Sequence, residues 1–281
     1  MSSAEILLLG AIAGFTIFLG LPIGRLRNPA LGLRVFLNAT AIGILIFLLW
    51  DVLAGSIEPV EQAVVNAANK DGSWLRVAAL GATMTAGVAV GLLSLVYYDR
   101  WLSSRAPARR DGPGAALATP PRAGIVHRLT EPERLAFFIA LGIGFHNLSE
   151  GLAIGQSAAS GEITLALLLI IGFGLHNATE GFGIVAPLTA ADDRPSWAFL
   201  GVMGLIGGGP TFVGTLIGQS FTSEWLFIGF LALAAGSILY VVIELLGVGR
   251  KLGHQDIMSW GIVLGLFLGF ATDMILVAAG T

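Results

Sequence analysis

Two short stretches of this chain combine an imidazole, an amide and a carboxylate in the same order. Phe145-His146-Asn147-Leu148-Ser149-Glu150-Gly151 returns thirty residues later as Leu175-His176-Asn177-Ala178-Thr179-Glu180-Gly181, so His-Asn-x-x-Glu-Gly occurs twice. On an α-helix a histidine and the glutamate four residues on lie one turn apart, with the asparagine on the same face. Opposed across an antiparallel helix pair, the two faces would bring two imidazoles and two carboxylates together, with two amide oxygens alongside. His146, Glu150, His176 and Glu180 would then form a coordination shell suited to Zn²⁺, and with added water to Fe²⁺, Mn²⁺ or Cd²⁺. Bridging carboxylates with Asn147 and Asn177 would form an adjoining site. A lone histidine in an apolar segment is usually a hydrogen-bonded core residue. Two copies, each with a carboxylate one turn away, favour ligation. The 281 residues include no cysteine, so thiolate zinc sites, disulfides and iron–sulfur clusters are excluded and only N and O donors remain.

The elements that must position these donors are written in the composition. Hydrophobic residues make up 55% of the chain and charged ones 12%, with a mean hydropathy of +0.84, which describes a chain built for lipid. Apolar runs of membrane-crossing length fall at 5–24, 34–53, 75–98, 135–157, 162–189, 196–219, 223–247 and 256–279. The expected fold is therefore an all-α membrane protein of eight transmembrane helices, a single transmembrane domain over 1–281. Of the 15 Lys and Arg, all but Lys70 and Arg76 fall in alternate loops, beginning with the first. The positive-inside rule puts those loops in the cytoplasm and both termini outside. Residues 99–134, rich in Arg, Pro, Ala and Gly, read as a flexible cytoplasmic loop between helices 3 and 4. Met1 to Glu5 lack the basic start of a signal peptide, so the first run is kept as a mature helix. A net charge of −3 argues against nucleic acid as a partner.

Once Glu5, Arg34, Arg76, Glu162, Glu224 and Asp256 at the span ends are assigned to the loops, the ionisable residues left in or at the edge of the spans are Asp51, His146, Glu150, His176, Glu180, Glu244 and Asp273, none of them Lys or Arg. A charge at the bilayer centre costs at least about 2.5–3.5 kcal/mol, so these acids require another cation, a metal ion or protons. A weaker likeness links span two to span seven, where Gly43 precedes Asp51 and Gly236 precedes Glu244 by eight residues. The two spans run in opposite directions, as in the inverted repeats of transporters, which makes Asp51 and Glu244 the outer and inner ends of a possible path, with Asp273 beside it. Gly142, Gly144, Gly151, Gly172, Gly174 and Gly181 around the motifs permit close helix approach. Pro187 is expected to kink or end its helix near Gly183. His127 and His254 fall in loops as solvated residues, and the six tryptophans sit near span ends as interfacial anchors.

On these residues the chain resembles the ZIP (Zrt/Irt-like) divalent metal-ion transporter family, in particular its GufA-like bacterial branch. The tandem motif carries the resemblance, with Ala186-Pro187-Leu188 and the Gly236 to Glu244 stretch in support. The resemblance implies a binuclear centre between the fourth and fifth helices, a 3+2+3 arrangement with inverted halves, homodimers, and a place in the bacterial inner membrane. It also implies import of Zn²⁺ or a related ion toward the cytoplasm. Three departures stand out. Ser149 and Thr179 occupy positions where the family often has proline, Gly209-Pro210 stands where its sixth helix often offers Glu-Pro, and loop 3–4 carries only His127. Two other readings are a membrane metalloenzyme and a metal-sensing or proton-conducting subunit. Helical zinc proteases want His-Glu-x-x-His and di-iron bundles Glu-x-x-His, so the spacing here speaks against an enzyme.

Overall fold

Apolar runs punctuated by Ser, Thr, Gly and Pro decide where each helix starts and stops. A computed structural model describes residues 2–26, 30–105, 129–159, 163–190, 194–220 and 223–279. Eight α-helices follow one another: α1 Ser3–Phe15, α2 Leu31–Ala68, α3 Trp74–Arg105, α4 Glu131–Ala159, α5 Ile163–Val185, α6 Trp197–Gly218, α7 Glu224–Leu252 and α8 Gln255–Ala279. Among the described residues no strand occurs. Ser2 with Glu5 and Thr130 with Glu133 form reciprocal caps on α1 and α4, while Ser196 and Ser223 accept from the first-turn amides of α6 and α7. Gly253, at φ 77°, turns the chain from α7 into α8. Among the described residues seven stretches are long and apolar enough to cross a membrane, on every helix but α5, with α1 counted through to Arg25.

Three elements differ from the sequence reading. The first span does not stay α-helical: α1 ends at Phe15 and continues as 3₁₀ turns over Thr16–Leu19 and Leu21–Arg25. The Thr16 hydroxyl donates back to the Ala13 carbonyl at 2.7 Å, and Gly20 and Pro22 follow, all unfavourable to a continued α-helix. α2 runs on far beyond residue 53, through Pro59, so its 38 residues reach about 57 Å at about 1.5 Å each, well over the hydrocarbon thickness. The extension holds because Ala63 buries against Leu80 of α3 and Ile228 of α7. Helix also takes both ends of the expected 99–134 loop, up to Arg105 and from Glu131, and residues 106–128 lie outside the described residues. Pro187, which has no N–H to offer the preceding turn, ends α5 at Val185 and opens a 3₁₀ segment, Ala186–Ala190.

α4 packs against α6, α7 and α5, α2 against α8 and α7, α3 against α7, and α1 against α6 and α5. The largest apolar cluster lies at the centre of these contacts and includes Ile17, Ile42, Leu45, Phe138, Ile143 and Ile184. Close crossings are made where side chains are missing. A Cβ on Gly14 would strike the Gly208 carbonyl, and one on Gly208 would strike that of Gly14, so α1 and α6 touch backbone to backbone. On either side of this crossing the contacts correspond. Gly181 of α5 abuts the Ile17 carbonyl and Gly20 fits beside Ala178, Gly181 and Phe182, while Gly151 of α4 abuts the Thr211 carbonyl and Gly214 fits beside Leu148, Gly151 and Leu152. A second set behaves likewise. Gly265 of α8 meets the Thr40 carbonyl and Gly43 meets that of Ile262, while Gly91 of α3 meets the Leu233 carbonyl and Gly236 meets that of Val88.

Candidate metal centre

The helical period of α4 puts His146, Asn147 and Glu150 on its buried face, and that of α5 does the same for Asn177 and Glu180. Burial is nearly complete: His146 is 3% exposed, Glu150 5%, and Asn147, Asn177 and Glu180 0%. His146 Nε2 lies 3.0 Å from Glu150 Oε1 on its own helix and 3.9 Å from Glu180 Oε1 across the gap. Asn147 Nδ2 donates to Glu180 Oε2 at 3.0 Å and to the Gly207 carbonyl at 2.9 Å. Asn177 Nδ2 donates to the Ala13 carbonyl at 3.0 Å. Between membrane helices such bonds contribute about 0.6–1.7 kcal/mol each. Three further oxygens, Asn147 Oδ1, Asn177 Oδ1 and Glu150 Oε2, are buried with no hydrogen-bond partner among the described residues. A buried acceptor without a donor is costly, and a cation satisfies it.

The two motifs meet through His146, Asn147, Glu150 and Glu180. Among the described residues no three His, Asp or Glu donors close on one point. The fourth expected donor, His176, belongs to α5 one turn before Glu180, and its side chain lies outside the described residues. Asp51 of α2 and Asp273 of α8 are half-buried, on helices that pack against each other and both contact α5. Glu244 is elsewhere. It lines a cavity of about 360 Å³ with Glu131, Arg134, Phe138, Tyr240 and Lys251, at the start of α4 and the end of α7. His254 is exposed, and His127 lies outside the described residues. All six tryptophans are exposed. Arg25 stacks over Trp197 at 4.7 Å and donates to the Pro195 carbonyl.

Two features escaped the sequence reading. The carbonyls of Ala13 and Gly207 belong to the site as acceptors, and main-chain groups carry no residue-type signal. The run Gly207-Gly208-Gly209 hinted at exposed backbone, but which glycine faces inward depends on packing. Gly209 does not face the centre: a Cβ there meets open space, on the side of exposed Leu205 and Phe212. Gly207 of α6 touches the site through its carbonyl, with the side chains of Ile17, Ile184 and Ile143 around it.

Fold and donor set together define a class: a helical membrane protein with acids and an imidazole buried at a helix interface, holding oxygens that ask for a cation. Residues 122–277 match the family described as ZIP zinc transporter, more than half of the chain. The chain belongs to the ZIP zinc transporter family. No curated protein matches it. It is an integral membrane protein, a transporter whose substrates are divalent metal ions, and ZIP proteins are transporters rather than enzymes.

Proposed function

We propose that this chain imports Zn²⁺ toward the cytoplasm through a metal centre between α4 and α5, with His146, Glu150, His176 and Glu180 as ligands and the oxygens of Asn147 and Asn177 alongside. The observation that carries the reading is the burial of His146 with Glu150 at 3.0 Å on its own helix and Glu180 at 3.9 Å on the next, beside three oxygens that have no donor among the described residues. Fe²⁺, Mn²⁺ and Cd²⁺ satisfy the same N and O donors, and zinc is the ion that the family description names. Asp51 and Asp273 lie on the outer approach and Glu244 on the inner exit.

α5 is the eighth span. Its 23 residues reach about 34 Å, enough for the hydrocarbon, and contain one acid, Glu180. Contacts order its direction too: Gly174 and Gly181 meet Ala13 to Gly20 in ascending order, so α5 runs with α1, and α6, met by Gly10 and Gly14 in descending order, runs against α1. The corresponding glycine contacts match Ala13, Gly14, Ile17 and Gly20 to Gly207, Gly208, Thr211 and Gly214 at one constant offset, and Thr40 and Gly43 to Leu233 and Gly236 at another. This supports a 3+2+3 fold in which α1–α3 and α6–α8 are inverted repeats around α4 and α5. With the basic loops in the cytoplasm, both termini face outward. The GufA-like resemblance adds a homodimer in a bacterial inner membrane.

The test is uptake of radioactive zinc into sealed proteoliposomes. Glu180→Ala and His176→Ala should each reduce accumulation to that of empty liposomes while the purified variants stay folded. Undiminished uptake by both would sink the reading.

A further inference from the structure

The two motif asparagines offer an ion only one end of each amide, and the other end is already engaged. Both main-chain acceptors, Ala13 O and Gly207 O, can only accept, so the amide orientation is fixed: Nδ2 is the atom on the carbonyl in each case. The acceptors are equivalent in position. Ala13 immediately precedes Gly14 and Gly207 immediately precedes Gly208, the pair whose backbones touch where α1 crosses α6. One asparagine therefore fastens α5 to α1 and the other fastens α4 to α6, from opposite sides of a single crossing. Both side chains are fully buried, where neither bond competes with water. Asn147 adds a third bond, to Glu180 Oε2, and the other oxygen of that carboxylate is the one 3.9 Å from His146 Nε2.

We infer that Asn147 and Asn177 are a matched pair of positioning residues that act through their amide N–H ends: each holds one metal-bearing helix on the α1–α6 crossing, and Asn147 also aims the Glu180 carboxylate at the ion. This rests on the metal centre proposed above and assigns its framework. The N–H ends are what the centre requires, whatever the Oδ1 atoms contribute once the frame is set.

Aspartate separates the two ends, since it keeps an oxygen in place and the shape of the side chain and lacks the N–H; leucine lacks both. Zinc affinity is measured on the full chain in detergent for Asn147→Asp, Asn147→Leu, Asn177→Asp and Asn177→Leu. Each Asp variant should bind at least about tenfold more weakly than the parent and within about threefold of its Leu counterpart. Because the chain has no cysteine, spin labels at Leu8→Cys and Ile171→Cys report the α1–α5 separation, which should broaden in Asn177→Asp. The visible spectrum of bound Co²⁺, which follows ligand geometry rather than overall stability, should change in Asn147→Asp. Asp variants that bind zinc as tightly as the parent, with unchanged label distances and Co²⁺ spectrum, would overturn the inference. Should the variants not fold, the parent chain decides: with ¹⁵N-labelled asparagine, side-chain protons of Asn147 and Asn177 should exchange at least about tenfold more slowly than those of exposed Asn66 and Asn69, and equal rates would overturn it. A parent chain that binds zinc yet moves none would refute transport and leave the framework standing.

Discussion

His146 sits between two carboxylates, Glu150 on its own helix and Glu180 on the next, and at the residue scale the chemistry of the protein follows from that placement. Carboxylate and imidazole ligands bind metal only when deprotonated, so binding releases protons and zinc affinity in detergent should fall as pH is lowered from about 7.5 to about 5.5. Imidazole is the ligand that ordinarily titrates in this window, so calorimetry in two buffers of different ionisation enthalpy checks this, and a pH-independent affinity without proton release would exclude the histidines as ligands. These residues were legible in the sequence because their chemistry is in their side chains, and because His-Asn-x-x-Glu-Gly appears twice at helical spacing. What the sequence withheld was the acceptor side of the asparagines: Ala13 and Gly207 contribute a carbonyl, the one group every residue has. The orientation of the glycine run of α6 has the same origin, since a glycine shows no preference for one face and only packing against α4 and α1 decides which of three consecutive glycines turns inward.

At the scale of elements, Gly151 and Gly181 do the same task on α4 and α5. A Cβ on either would meet a main-chain carbonyl, Thr211 O or Ile17 O, and neither backbone can yield as a flexible side chain would. Gly151→Ala and Gly181→Ala should each destabilise the folded protein by about 1–3 kcal/mol. A fall in thermal midpoint relative to Gly229→Ala, where a Cβ meets open space, measures this, and equal midpoints would contradict the packing. Helix existence and order were readable from the apolar runs, and α6 and α8 fall within a residue or two of expectation. Two elements were not readable, for tertiary reasons. α1 gives way to 3₁₀ turns where Thr16 bonds back to Ala13 and Gly20 must fit against α5, and α2 outlasts its apolar run because Ala63 finds cover under α3 and α7.

Across the whole molecule, the weak likeness between Gly43–Asp51 and Gly236–Glu244 gained its meaning from packing. Gly43 and Gly236 each receive a neighbouring helix at a backbone carbonyl, α8 in one case and α3 in the other, which composition alone does not indicate. The acids that follow part company: Asp51 is half-buried on α2, and Glu244 lines a cavity beside Arg134 and Lys251. None of the ionisable residues within the apolar runs is Lys or Arg once the loop ends are set aside, which is plain in the sequence and is the global reason a cation belongs beside His146, Glu150 and Glu180. The most direct test of that claim is anomalous X-ray scattering at the zinc edge from crystals of the full chain grown with Zn²⁺. A peak is expected between α4 and α5, within about 2.0–2.2 Å of ligand atoms of His146, Glu150, His176 and Glu180. Zinc-loaded crystals with no peak among these four side chains would contradict it.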